Sequence, residues 1–421
     1  MNSRERVEAT LNHEKPDRVP LDLGGSLVTG MHVDSVYKLR QALKLDKPGT
    51  PVKVSDPYQL LGEIKPDLQE ALGVDVVALS GSKNFFGFEN ENWKPWTTFD
   101  GTPVLVPEKF NIEIDENGEL FMYPQGDKSV LPSAKMPEGG LYFDALNRQE
   151  PIDDDNLNIE DNLEEFTPIS DEELEYFKNE TERLYDETDK AIFASFGGTA
   201  FGDIAMVPAP HLKHPKGIRG VEEWYMSTIT RTDYIYEVFD RQCEIALENL
   251  AKIYEVVGNK ISLVFISGTD FGTQNGPFIS PDMYRELYKP FHQRVNDWIH
   301  HNTEWKTFIH SCGSIMALLD DIIDAGFDVL NPVQCSAAGM DPNDLKNKYG
   351  DQVVFWGGGV DTQKTLPFST PEEVREEVKE RIKIFGRGGG FVFNPIHNVQ
   401  SRTPIENIVA MYEAYQKNRD Y

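Results

Sequence analysis

The stretch Trp305–Gln334, WKTFIHSCGSIMALLDDIIDAGFDVLNPVQ, decides the fold of this chain. From Trp305 to His310 its residues alternate in the manner of a β-strand, and beyond Gly313 the apolar spacing becomes helical. A second short strand follows at Asp328–Asn331. His310 and Cys312 lie two residues apart at the end of the first strand, so we expect their side chains to point the same way.

These two side chains are good metal donors. A neutral imidazole and a thiolate are favoured ligands of zinc. Two of the three protein ligands of a catalytic zinc site are therefore available from one strand end. The alternative is a metal-free nucleophile at Cys312 with His310 as its base. Parallel side chains reach a shared target more easily than each other, which favours the metal site.

The composition restricts the class of protein. The chain has 421 residues, 39 % of them hydrophobic, and a formal charge of −29. Such a negative field disfavours a nucleic-acid partner. No apolar run reaches the length of a membrane span, and the charged start MNSRERVEATLNHEKPDRV does not resemble a secretory signal, so we expect a cytoplasmic protein. Three cysteines argue against a disulfide framework.

Strands and helices alternate along most of the chain. This pattern predicts a (β/α)₈ TIM barrel, with two doubly wound domains as the alternative fold. The eight candidate strands are Arg18–Leu23, Val74–Leu79, Ala191–Phe196, Leu263–Gly268, Trp305–Ser311, Asp328–Asn331, Val353–Trp356 and Phe391–Asn394.

One region interrupts the alternation. Residues 85–143 are short aromatic and β-branched runs separated by turn pairs such as Asp100-Gly101, which predicts an inserted antiparallel β meander. Between Asp153 and Lys190 sixteen acidic residues face three basic ones, which indicates a solvated acidic helical segment. We therefore expect a single domain over 1–421 with an insertion at about 85–190.

The active site of a TIM barrel lies at the carboxyl ends of its strands. At those ends we predict catalytic carboxylates at Asp270 and Asp361. Predicted substrate-binding side chains at the same ends are Asp22, Gln274, Asn331, Gln334 and Gln363. His397, after the last strand, is the candidate third metal ligand beside His310 and Cys312. Cys335 is a rival third ligand, although a small buried apolar role suits it better.

Three segments resemble the uroporphyrinogen decarboxylase superfamily. They are SRERVEATLNHEKPDRVPLDLGG at the start, TDFGTQNGPFISPDMYRELYKPFH in the middle, and the carboxyl-terminal run that includes HSCGSIMALLDDIIDAGFDVLNPVQ and GGGFVFNPIHNVQSRTPIENIVAMYEA. The resemblance implies a (β/α)₈ barrel with its site in the barrel mouth. It also implies one of two activities, porphyrinogen decarboxylation or corrinoid-linked methyl transfer.

The two branches differ at positions that this sequence contains. Decarboxylases of the family carry an arginine-rich RQAGRY signature after the first strand, where this chain has DLGGSLVTGMHV. The methyltransferases carry a His-x-Cys, matched by His310 and Cys312, and a later cysteine, which aligns with His397. The resemblance thus favours a zinc-dependent methyltransferase.

In that reading the partners are a small methyl donor or acceptor and a corrinoid carried by another protein. A neutral imidazole at His397 makes the site one charge unit more positive than a thiolate would, which suggests an ether or amine donor rather than a thiol acceptor. A uroporphyrinogen decarboxylase-type carboxy-lyase is the alternative, and a binding protein without chemistry is the third possibility. The sequence leaves the oligomeric state open.

Overall fold

A curled parallel β-sheet forms the centre of the protein, in a computed structural model that describes all residues from Met1 to Tyr421. The sheet has seven strands, which lie side by side in the order in which they follow one another along the chain. They are β1 (Val76–Ser80), β2 (Ala191–Ser195), β3 (Leu263–Ser267), β4 (Lys306–His310), β5 (Val329–Asn331), β6 (Val354–Trp356) and β7 (Phe391–Val392). Seven of the eight predicted strands are thus present as a TIM-like parallel array.

The predicted first strand, Arg18–Leu23, is not a regular strand. It forms only isolated bridges, from Arg18 to Asp420 and from Leu21 to Phe393. The backbone N–H of Leu21 bonds to the Asp75 carboxylate instead of a strand partner. Pro20 has no N–H to donate to a ladder. The segment nevertheless lies between the two edges of the sheet, since Phe393 donates to Pro20 O at 2.8 Å and Asp75 donates to Leu21 O at 2.8 Å.

Alternation along the strands separates two cores. Phe308 and Trp356 belong to a cluster of eleven buried residues inside the curl of the sheet. Their strand neighbours Ile309 and Phe355 belong instead to the larger core between the sheet and the helices. The period-two pattern therefore places Phe308 and His310 on the inner face.

Helices surround the parallel sheet. They span Ser3–Leu11, Val33–Ala42, Pro66–Leu72, Asp171–Glu187, Val221–Thr230, Thr232–Val257, Pro281–Met283, Lys289–Asn302, Leu319–Asp324, Pro342–Tyr349, Thr365–Phe368, Pro371–Phe385 and Ile405–Asn418, with a π-helical turn at Tyr284–Tyr288. None of these helices combines the length and apolar character needed to cross a membrane.

The first helix, Ser3–Leu11, closes the amino-terminal end of the curled sheet. Val7 and Leu11 pack into the inner cluster, and Arg6 forms a 2.7 Å ion pair with Asp75 just before β1. This end of the sheet is therefore filled by apolar side chains. The carboxyl ends of the strands remain the end at which polar loops gather.

Residues 85–143, predicted as one antiparallel meander, contribute strands to two separate sheets. Two of its strands, Lys94–Thr97 and Pro103–Val106, join Val52–Asp56 and Leu61–Gly62 in a separate mixed sheet. Only the later strands form an antiparallel sheet in sequence order, at Ile112–Ile114, Leu120–Met122, Ala134–Met136 and Asp144–Ala145. Local alternation does not encode which distant strands pair with one another. The sequence pattern therefore predicts one sheet where the structure has two. The single domain over 1–421 stays a prediction.

Candidate metal centre

His310 ends β4 on the inner face of the sheet and is 4 % exposed. Cys312 follows two residues later, and its Sγ lies 3.3 Å from His310 Nε2. Around one zinc ion with tetrahedral angles, such a nitrogen and sulfur lie roughly 3.5 Å apart. The pair therefore matches in both chemistry and spacing what one divalent metal requires.

His397 completes a group of three donors. One ligand atom each from His310, Cys312 and His397 lies within 4.8 Å of the other two. The two imidazole rings are 5.2 Å apart and inclined at 72°. His310 is buried, whereas Cys312 and His397 are partly exposed, so the open side of the group faces the mouth of the curled sheet. Cys335 is not part of the group, and burial raises the pKa of its thiol to about 12.

Burial sets the protonation of the three donors. It lowers the pKa of His310 to about 4, and burial together with the charge of His310 lowers the pKa of His397 to about 3. Burial and the neighbouring Asp270 carboxylate raise the pKa of the Cys312 thiol well above its usual value. Without a metal, the group therefore holds two neutral imidazoles and a neutral thiol at neutral pH. A thiol that retains its proton is a poor nucleophile, which argues against the metal-free alternative.

Asn331 and Asp270 hold the first two donors in place. Asn331 Oδ1 accepts a hydrogen bond from His310 Nδ1 at 2.5 Å, which leaves Nε2 free on the side of Cys312. Asp270 Oδ1 accepts the backbone N–H of Cys312 at 2.7 Å. Asn331 has no exposed surface and contacts a candidate metal ligand, and its predicted role in substrate binding stays a prediction.

His397 is held differently from His310. Its Nδ1 accepts the backbone N–H of Asn398 at 2.8 Å, so the proton of the neutral ring lies on Nε2. His397 thus fits a metal site by position, but it must lose the Asn398 hydrogen bond before Nε2 can bind a cation. His310 and Cys312 fit zinc as they stand, and His397 fits it after that adjustment.

Three aromatic rings lie in the layer below the donors. Phe308, two residues before His310, is 4.7 Å from Phe193 and 5.9 Å from Trp356 between ring centroids. All three rings are at most 1 % exposed. They form an apolar floor that keeps water from reaching the donors from below.

Gln274 and Gln334 form hydrogen bonds with loops at the carboxyl ends of the strands. Gln334 accepts the backbone N–H of Gly313 at 2.8 Å and donates to Gln274 at 3.1 Å. Gln274 in turn donates to Ser336 O at 2.5 Å. Both glutamines were predicted to bind substrate, and the structure shows them joining the loops after β3, β4 and β5, next to the Cys312 backbone.

Asp22, Asp361 and Gln363 lie outside the donor group. Asp22 is fully buried, accepts Trp356 Nε1–H at 2.8 Å, and has a pKa raised by burial to about 6. Asp361 Oδ1 accepts the backbone N–H groups of Gln363 and Lys364 at 2.6 and 2.9 Å. These are the contacts of a loop cap, and neither Asp361 nor the exposed Gln363 contacts His310, Cys312 or His397.

Sequence reasoning missed Asp203. This residue ends GGTAFGD, a glycine-rich stretch too loose to count as a phosphate loop. Burial and the charge of Asp270 raise the pKa of the Asp203 carboxyl, to about 6. Burial and the charges of both carboxyls raise the pKa of Tyr225 to about 12. The buried hydroxyl of Tyr225 has no hydrogen-bond partner. The only signal in the sequence was the position of an acid shortly after β2.

The fold and the donor group together define a class. A curled parallel sheet with polar loops at the carboxyl ends of its strands and a His-Cys-His group among them is a TIM-like α/β protein with a candidate metal centre. Residues 149–418 match the uroporphyrinogen decarboxylase (URO-D) family. That span is well over half of the chain, and the protein belongs to this family.

Comparisons with individual proteins point to both branches. The uroporphyrinogen decarboxylase of Coxiella burnetii (strain Dugway 5J108-111) is 34% identical over 86 residues, which is 20% of this chain and 23% of that protein. The methylcobamide:CoM methyltransferase MtaA of Methanosarcina barkeri (strain Fusaro / DSM 804) is 24% identical over 195 residues, 46% of this chain and 52% of that protein. The chain thus spans about half, or less, of these relatives.

A solved structure shares the fold over the whole length. A methyltransferase from Methanosarcina mazei superposes with a TM-score of 0.54 at 17% sequence identity and covers 99% of both chains. This likeness shows the fold, and the family match over residues 149–418 confirms the resemblance to the uroporphyrinogen decarboxylase superfamily.

Proposed function

We propose that this protein is a zinc-dependent methyltransferase that moves a methyl group between a small methylated molecule and a corrinoid held by a partner protein. The observation that carries the proposal is the convergence of His310, Cys312 and His397 within 4.8 Å at the mouth. The methyltransferase among the relatives and the methyltransferase of like fold support the same branch.

Each part of the site has a role in this reaction. Zinc, when bound by the three donors, supplies a Lewis acid that polarises the heteroatom carrying the methyl group. Asn331 orients His310, and Asp270 fixes the backbone of Cys312 through a 2.7 Å hydrogen bond. The aromatic floor excludes water from below, which strengthens electrostatic interactions within the site. Cys312 and His397 are partly exposed, and in this proposal the methylated substrate approaches the group from their side.

The charges at the mouth favour a neutral or cationic methyl donor. Asp203 and Asp270 have pKa values raised by burial, and neither of them forms an ion pair with Lys or Arg. By contrast, buried Asp75 at the opposite end of the sheet contacts both Arg6 and Arg18. An anionic substrate would meet like charge without a counterion. An ether or an amine suits the site better, in keeping with the imidazole at His397.

The decarboxylase alternative rests on the short similarity to uroporphyrinogen decarboxylases. A porphyrinogen carries several carboxylates, which arginine binds best. The stretch DLGGSLVTGMHV at 22–33 contains no arginine. The nearest arginines in sequence, Arg18 and Arg40, are already paired with carboxylates, at 2.8 Å to Asp75 and 2.7 Å to Asp67. This part of the chain therefore offers such a substrate no unpaired arginine.

A direct assay tests the proposal. The zinc-loaded protein is incubated with cob(I)alamin and a panel of methyl ethers and methylated amines, and the formation of methylcobalamin is followed by its absorbance. We expect transfer from at least one donor, dependent on zinc and lost in the His310→Ala/Cys312→Ala variant. Cys335→Ala is the matched control, because Cys335 lies outside the donor group.

Other outcomes assign the other functions. Decarboxylation of uroporphyrinogen would replace the proposal with the carboxy-lyase activity. A zinc-loaded protein that is inert towards every donor and towards methylcobalamin would leave only a binding role. Methylation of CoM by methylcobalamin would support methyl transfer but would contradict the proposal that the small substrate is a neutral or cationic methyl donor.

A further inference from the structure

The amide of Asn331 has only one possible orientation. Its Nδ2 donates to the backbone carbonyl of Trp356 at 2.8 Å, and its Oδ1 lies 2.5 Å from His310 Nδ1. A carbonyl oxygen accepts hydrogen bonds and cannot donate them. The NH₂ group must therefore face Trp356 O, and the amide oxygen must face His310. It follows that His310 Nδ1 is the donor and carries the ring proton.

We propose that Asn331 is a positioning residue, which locks His310 in the Nδ1–H tautomer so that the Nε2 lone pair is presented to a divalent metal beside Cys312. The inference rests on the metal centre proposed above and adds to it a supporting residue from the neighbouring strand β5. In the other tautomer, two acceptors would face each other between Nδ1 and Oδ1, and a proton would lie on Nε2 on the side of Cys312 Sγ, 3.3 Å away. Partners of this kind orient metal-binding histidines and raise their affinity.

Three neighbouring strands build this arrangement. Asn331 lies directly opposite His310 in the pairing of β4 with β5. The carbonyl of Trp356 comes from the end of β6. The next residue is Gly357, at a φ of +94°, where a Cβ atom would lie 3.1 Å from Asn331 Nδ2. A glycine therefore gives the amide its space, and the orientation of His310 depends on the register of β4, β5 and β6.

His397 lacks this preparation. Its Nδ1 accepts a backbone N–H, so its ring carries the proton on Nε2. Of the two imidazoles, only His310 offers an Nε2 lone pair without rearrangement. Loss of the Asn331 contact would leave the group without a prepared nitrogen ligand. We therefore expect Asn331 to have a larger influence on metal affinity than other buried asparagines.

The first test reads the tautomer in the metal-free protein. The histidine side chains are labelled with ¹⁵N, and the signal of His310 is assigned by its loss in His310→Gln. We expect Nδ1 of His310 to be protonated and Nε2 to be unprotonated. A protonated Nε2 would overturn the inference, whatever the protein does with zinc.

The second test measures zinc affinity by competition with a chromophoric chelator at fixed pH. We expect Asn331→Leu to weaken binding about 10–100-fold, the range typical of residues that support metal ligands. Asn331→Asp keeps an acceptor for Nδ1–H and should retain most of the affinity, although it loses the donor to Trp356 O. Asn296→Leu is the matched control, because Asn296 is equally buried and bonds only to Ala325 O.

The outcomes separate this inference from the proposed function. Wild-type affinity in Asn331→Leu, or an equal loss in Asn331→Asp and Asn331→Leu, would overturn the positioning role. If the wild-type protein binds no zinc, the proposed metal centre fails, while the tautomer of His310 in the metal-free protein still decides whether Asn331 sets it. If Asn331→Leu does not fold, Asn331→Asp and the wild-type tautomer remain decisive.

Discussion

Cys312 Sγ lies 3.3 Å from His310 Nε2, in a contact between a thiol and a neutral imidazole. Burial and Asp270 raise the pKa of the thiol well above its usual value, while burial lowers the pKa of the imidazole to about 4. The pair is therefore neutral before a metal binds. A divalent cation would take the place of the thiol proton.

Zinc binding should release about one proton per ion. The histidines contribute none above about pH 5, because their pKa values are lowered to about 4 and about 3. Since the raised thiol pKa lies above the working range, apparent affinity should rise about tenfold per pH unit between pH 6 and 8. Calorimetry in buffers of different ionisation enthalpy measures the proton count, and an affinity that does not change with pH would contradict the thiolate ligand.

Removal of a ligand should abolish tight metal binding. We expect His310→Ala and Cys312→Ala each to weaken zinc binding by at least about 100-fold, more than the loss of a supporting residue causes. The metal content of the purified protein and chelator competition give the result. Cys335→Ala should retain the wild-type zinc content. A loss of zinc in Cys335→Ala, with retention in Cys312→Ala, would reassign the thiolate ligand.

Replacement of His397 tests how the third position tunes the site. His397→Cys introduces the cysteine found at the aligned position in the methyltransferases of the superfamily and adds a second thiolate. We expect tighter zinc binding, more intense thiolate absorption after cobalt substitution, and weaker transfer from ethers or amines, because the metal becomes less positive. His397→Ala should bind zinc more weakly than either. Unchanged affinity in both variants would show that His397 is not a ligand.

Asp270 should control the reactivity of the Cys312 thiol. Asp270→Asn keeps an oxygen that can accept the Cys312 backbone N–H, but it removes the like charge that helps to raise the thiol pKa. We expect alkylation of Cys312 in the metal-free protein to become about 3–10-fold faster at pH 8, since more thiolate is present. Peptide mass spectrometry distinguishes Cys312 from the other two cysteines.

Asp361→Asn provides the comparison for that experiment. Asp361 is the second predicted catalytic carboxylate, and it accepts the backbone N–H groups of Gln363 and Lys364. Its variant should leave the alkylation rate of Cys312 unchanged. Equal acceleration in both variants would point to general loosening of the mouth rather than to the charge of Asp270.

Local sequence patterns determined much of the scaffold and the donor set. Seven parallel strands were recognisable because each is a short apolar run between helical segments. The shared direction of His310 and Cys312 follows from the two-residue period of a strand, which holds in any fold that keeps that strand. His397 was found because the carboxyl ends of parallel strands meet at one end of a sheet.

Only the tertiary structure decided which side chains support these donors. Asn331 contacts His310 through the register of β4 with β5, and Asp203 comes near Asp270 through a loop that follows a different strand. The segment Arg18–Leu23 is not a regular strand because the backbone N–H of Leu21 bonds to the carboxylate of Asp75, the residue just before β1. Local alternation indicates on which face of the sheet a residue lies. Register and loop path, which bring distant residues within hydrogen-bonding distance, depend on the packing of the whole chain.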